Sequence, residues 1–154
     1  MSDERFSVDG TFDGEPASIT MTYDAEGVAR VAADPPLRER SYDLPPERAA
    51  GALDPLSAAL AMLAPRPGAA PCGRTIPVYE GRRRVDIELD DGARRGDAVS
   101  CRGRLVRVAG FKRKVMREGR EFPISAEWTV SRGRPRLERA VLRTKLGGLV
   151  LKRR

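Results

Sequence analysis

The 154-residue chain has the length of one domain, and with 40% hydrophobic and 33% charged residues it can bury a core and keep a wet surface. It contains no apolar run of the roughly 20 residues that a membrane-spanning helix needs. Met1-Ser2-Asp3-Glu4-Arg5 has neither the basic nor the apolar part of a secretory signal.

Period-two alternation dominates the chain and predicts antiparallel strands with one wet face. Phe6, Val8 and Phe12 alternate with Ser7, Asp9 and Thr11. Ile19, Met21 and Tyr23 alternate with Thr20 and Thr22, and Asp24 to Gly27 reads as a turn. Two Pro-rich stretches, Asp34-Pro35-Pro36 with Leu44-Pro45-Pro46 and Pro65-Arg66-Pro67-Gly68 up to Pro71, read as extended connections. They flank one helix. Asp54 is a suitable N-cap, and Pro55 fits the first helical position, where a missing N–H costs nothing. Leu53, Leu56, Leu60 and Leu63 fall on one side at helical spacing, and the helix ends before Pro65. This stripe predicts a helix lying over an open sheet face, with Asp54, Leu56, Leu60 and Leu63 forming a plug. Further strands are predicted at Ile76–Tyr79, Val85–Leu89, Val99–Ala109, Phe122–Val130 and Gly148–Lys152. The fold expected is mainly β: a curved, half-barrel-like antiparallel sheet with one helix packed on its face.

The search for chemistry gives little. The chain has no histidine, which removes the commonest general base and metal ligand. Ser57 therefore lacks a histidine to activate it, and Asp54-Pro55-Leu56-Ser57 reads as a helix start. Asp86, Glu88 and Asp90 share a strand face, where solvated acids beside arginines are far commoner than a catalytic pair. No phosphate-binding glycine loop and no aromatic base-stacking platform appear. The reading is of a protein that is not an enzyme, with no metal and no cofactor. Cys72 and Cys101 lie 29 positions apart. They fit either a disulfide closing a two-strand unit or two buried free thiols.

The formal charge of +7 is unevenly spread. Residues 1–50 hold 11 acids and 5 bases, and residues 51–154 hold 24 bases and 11 acids. Basic clusters recur at Arg82-Arg83-Arg84, Arg94-Arg95, Lys112-Arg113-Lys114 and Lys152-Arg153-Arg154. They fit contact with nucleic acid, anionic lipid or a polyanionic glycan, or an arginine-rich solvated surface with charges paired across strands. Arg82, Arg83, Lys112 and Arg113 each stand beside a glycine turn at Gly81 or Gly110. If those turns meet at one rim, the four make a candidate anion site.

Several segments, taken in order, resemble the bacterial domain of unknown function 3108 family. Leu53-Asp54-Pro55-Leu56-Ser57-Ala58 resembles its helix start. Cys72-Gly73-Arg74 followed by Val78-Tyr79-Glu80-Gly81-Arg82-Arg83-Arg84 is similar to its cysteine and the strand after it. Cys101-Arg102-Gly103-Arg104 through Ala109-Gly110-Phe111-Lys112-Arg113, then Trp128, then Thr144 to Leu151 complete the pattern over about Phe6 to Leu151. The family's export signal and first strands have no counterpart before Phe6. Residues 1–154 are therefore expected to be a single domain and a partial member. The resemblance implies a curved sheet like the half-barrels that carry lipids or lipoproteins, an envelope setting in which Cys72 and Cys101 would be bridged, and no catalytic residues.

Two functions follow as expectations. One is a periplasmic, non-enzymatic cell-envelope domain that takes a lipid, a lipoprotein or an envelope partner. The other is a cytoplasmic basic β-domain that binds nucleic acid or another polyanion.

Overall fold

The structure, a computed structural model, describes residues 5–12, 14–27 and 29–153. The expectations for Met1 to Glu4, for the Phe12 side chain and for Arg154 lie outside what it describes. Among the described residues the strands form two antiparallel sheets, and no closed barrel is present.

The smaller sheet has the order β1-β2-β3, with β1 at Arg5–Phe12, β2 at Glu15–Tyr23 and β3 at Ala29–Asp34. Ile19 and Met21 of β2 are buried, as their alternation with threonines requires, beside Ala29, Leu44, Ala49 and Tyr79. Tyr79 ties this core to the larger sheet. Its hydroxyl stands 2.8 Å from the Leu44 carbonyl oxygen and 2.7 Å from that of Gly81, and shares its one proton between them. Burial, reinforced by Glu80 and Asp43, holds that hydroxyl protonated well above the usual tyrosine range.

The larger sheet runs β10-β9-β8-β7-β5-β4, with β6 paired to β7 beyond the end of β5. Its strands are β4 Arg74–Tyr79, β5 Arg84–Leu89, β6 Ala93–Arg95, β7 Ala98–Ala109, β8 Glu121–Ser131, β9 Arg134–Thr144 and β10 Gly147–Lys152. One face carries the core: Leu89, Val99, Cys101, Ile124, Ala126, Trp128 and Leu137. The other carries charges paired across strands. Arg104 on β7 reaches Glu88 on β5 at 2.6 Å and Glu121 on β8 at 3.1 Å, and within β5 Arg84 pairs with Asp86 at 2.8 Å. The carboxylates of Asp86 and Glu88 thus sit in ion pairs on the wet face.

Helix α1 spans Pro55–Leu63 and starts as the sequence predicts. Asp54 Oδ1 accepts from the backbone N–H groups of Leu56 and Ser57, each at 2.9 Å, and Oδ2 accepts from Ser57 Oγ at 2.6 Å. The face it presents to the sheet is not the predicted one. At 3.6 residues per turn, Ala58, Ala61 and Met62 share one side and Leu56, Leu60 and Leu63 the other. Ala58 packs with Ile76 and Val78. Leu56, Leu60 and Leu63 are 59%, 56% and 45% exposed, so the leucine plug is overturned. Anchors outside the helix set its rotation. Leu53 pairs with the outer edge of β4, donating to Pro77 O and accepting from Tyr79 N at 2.8 Å each. At the far end Trp128 Nε1 donates to Met62 O at 3.0 Å, and Arg74 Nη2 donates to Ala61 O at 2.8 Å. Held at both ends, the helix turns its small alanines inward, where they allow close approach.

Candidate functional site

Helix α1 covers only part of the core face, and register shows what it leaves open. In an antiparallel pair, directly opposed residues point to the same face. Ile124 of β8 opposes Leu142 of β9, which opposes Leu149 of β10; Ala126 opposes Ala140, which opposes Leu151. Leu142, Leu149 and Leu151 therefore continue the core face outward. Leu149 and Leu151 are 58% and 51% exposed, beside a β10 edge that pairs with no further strand among the described residues.

This open strip runs into a cavity of about 440 Å³ at the end of the sheet where β7 passes to β8. Its floor includes Val85, Leu105, Phe122 and Leu142. Its rim comes from Phe111 and Gly119, which flank the short helix α2 (Arg113–Glu118), and from Lys145 and Leu146 in the β9–β10 turn. One cation stands on the floor. Arg107 occupies an inward register position of β7, after Val99, Cys101 and Leu105. Its guanidinium lies 4.7 Å from the centre of the Phe122 ring and 5.4 Å from that of Phe111. Its Nη1 donates to the carbonyls of Gly119 at 2.6 Å and Val115 at 3.2 Å, which fixes the chain around α2. Lys145 Nζ donates to the Glu118 carbonyl from the other side.

The turns at Gly81 and Gly110 do meet. A Cβ on Gly110 would stand 2.6 Å from Arg83 Cα, so only glycine lets the two backbones approach so closely. The four predicted anion-site residues gather at that rim, but two are engaged internally. Arg82 Nη2 and Nε donate to Asp43 Oδ2 at 2.7 and 3.1 Å, and Arg83 Nε donates to Glu80 Oε1 at 2.8 Å. Lys112 and Arg113 lie exposed at the start of α2. The sequence reading missed Arg107 and Lys145. A cation at a core-facing position of an alternating strand was the signal for Arg107; nothing local marks Lys145.

A second basic feature lies at the β8–β9 hairpin. Arg132, Arg134, Arg136 and Arg153 line a cleft of about 630 Å³ with Thr129 and Ser131. Arg153 pairs with Glu138 at 3.2 Å.

Cys72 and Cys101 stand at disulfide distance, with Cα atoms 5.9 Å apart. The spacing fits the disulfide alternative of the sequence reading, but Cys72 does not lie on a strand next to that of Cys101. Cys72 precedes β4 and meets β7 past the end of β5, beside Gly92. No helix among the described residues is long and apolar enough to cross a membrane. No family model, curated protein or solved structure matches this chain, and the resemblance to the domain of unknown function 3108 family rests on the quoted residues.

Proposed function

We propose that this chain is a non-enzymatic cell-envelope domain that takes a lipid or a lipoprotein acyl chain on the open part of its larger sheet. The observation that carries the reading is the core face that continues, uncovered, through Leu142, Leu149 and Leu151 into the cavity between Phe111 and Phe122. Apolar surface of this kind gains about 25 cal/mol for each Å² removed from water, so a ligand that covers it is favoured. The cysteine pair at disulfide distance supports an oxidising compartment such as the periplasm. The test is native mass spectrometry of protein purified without detergent. Co-purified lipid, lost in a Leu142→Asp variant that keeps its fold, is the expected result. A ligand-free spectrum, together with no uptake of a neutral polarity-sensitive dye, would refute it.

The second reading, a cytoplasmic basic β-domain on nucleic acid or another polyanion, is favoured by the arginine cleft at the β8–β9 hairpin. Nucleic acid co-purifying in the same spectrum, and released by salt as counterion release requires, would decide for it.

A further inference from the structure

Resting on the lipid-binding reading, we propose that the cavity between β7, β8 and α2 is the headgroup site for a single-chain anionic amphiphile of the long-chain carboxylate class. Its acid group would sit at Arg107 and Lys145, and its chain would run out over Leu142 toward Leu149 and Leu151.

Four observations converge. The first is polarity. The walls are apolar, from Leu105, Phe111, Phe122 and Leu142, yet two cations are set among them. A cation at an apolar wall loses hydration and regains it only from a partner. Arg107 spends Nη1 on two backbone carbonyls; its Nε and Nη2 take no hydrogen bond among the described residues. Lys145 stands exposed at the rim, its Nζ donating to the Glu118 carbonyl, and adds a second positive charge to the cavity mouth. A carboxylate fits the free edge of the guanidinium fork, and the ammonium at the rim adds attraction for it.

The second is the surrounding charge. The connection from β7 to β8 carries Lys112, Arg113, Lys114, Arg117 and Arg120 against Glu118. Glu118, which lines the cavity, pairs with Lys114 at 3.8 Å, and Glu121 is held by Arg104 at 3.1 Å. The mouth therefore attracts anions and repels cationic headgroups.

The third is size. At about 440 Å³ the cavity has the volume of a small-molecule pocket, room for a headgroup and the first part of one chain. The fourth is continuity. Leu142 belongs both to the cavity and to the strip that leads through Leu149 to the β10 edge. A chain longer than the cavity has an apolar path to follow.

The test compares hexadecanoic acid with hexadecanol, each below its aggregation limit, by displacement of a neutral fluorescent probe from the intact chain. The acid should bind at least about ten-fold more tightly than the alcohol at low salt, and the gap should narrow as salt is added. Lys145→Met should weaken the acid several-fold and leave the alcohol unchanged. Arg107→Lys keeps a charge but loses the fork, and should weaken the acid again. Because Arg107 also holds α2, its far-ultraviolet spectrum is checked against wild type, and Lys145→Met carries the test if that variant misfolds. Equal binding of acid and alcohol would overturn the headgroup assignment while leaving the apolar-ligand reading standing. Binding of neither would overturn both.

Discussion

The orientation of α1 gives a direct test of how this fold is held. Leu60 lies in the middle of a leucine stripe but is 56% exposed, whereas Ala58, two residues earlier, is 2% exposed against Ile76 and Val78. Full burial of a leucine side chain is worth about 1.5–3 kcal/mol, and a buried Leu→Ala change costs about 2–5 kcal/mol. With less than half of Leu60 removed from water, Leu60→Ala should cost under about 1 kcal/mol, part of it returned by alanine's better helix propensity. Ala58→Leu should cost about 1–3 kcal/mol, because the added methylenes meet a packed strand. For a domain of this size 1 kcal/mol moves Tm by about 2–4 °C. The two variants should therefore separate by several degrees in an order that side-chain hydrophobicity alone would reverse. Trp128, the single tryptophan and 1% exposed, reports the unfolding in urea by its fluorescence. A loss of 2 kcal/mol or more in Leu60→Ala, with Ala58→Leu neutral, would refute the observed orientation.

Three further outcomes follow from the geometry. Replacing Cys72 and Cys101 by serine should lower stability by about 3–4 kcal/mol for a loop of 29 residues, and intact mass under non-reducing conditions should show the two thiols already oxidised. Gly103 has no room for a side chain, since a Cβ there would stand 3.0 Å from the carbonyl carbon of Glu88 and from Leu89 Cα and nearer still to the Glu88 carbonyl oxygen; Gly103→Val should fail to give a folded protein, and soluble yield with a native circular-dichroism spectrum would contradict this. Tyr79 is held protonated in the fold, so above its unfolded pKa of about 10 the unfolded state alone releases the proton and stability falls by up to about 1.4 kcal/mol per pH unit; Tyr79→Phe should be less stable at neutral pH but lose this alkaline slope in urea titrations run from pH 9 to 11.

The amino-acid sequence by itself determined most of the secondary structure. Alternation placed β1, β2, β5 and β8, because a half-buried strand must send every second residue to the core; β4, β7 and β10 were read as further strands, and β10 is exposed along its whole length. Asp54 and Pro55 placed the start of α1, because a helix N-terminus needs a side-chain acceptor and tolerates a missing N–H. Strand β3 escaped, since alanines in Ala29–Asp34 give alternation little contrast. Strand β9 escaped because arginines and a shift in register between Glu127 and Trp128 blur its pattern. The tertiary structure alone decided which side of α1 faces the sheet. Periodicity says that a leucine stripe exists; the Leu53 pairing and the Trp128 and Arg74 bonds to helix carbonyls decide where it points. Likewise the sequence marked Arg82, Arg83, Lys112 and Arg113 as basic, but partner distances removed Arg82 and Arg83 into ion pairs. Lys145 reached Arg107's cavity only because the β9–β10 turn folds over the same end of the sheet as α2. Local rules act over a few residues of backbone, whereas a binding site is assembled from groups that only long-range pairing brings within a few ångströms.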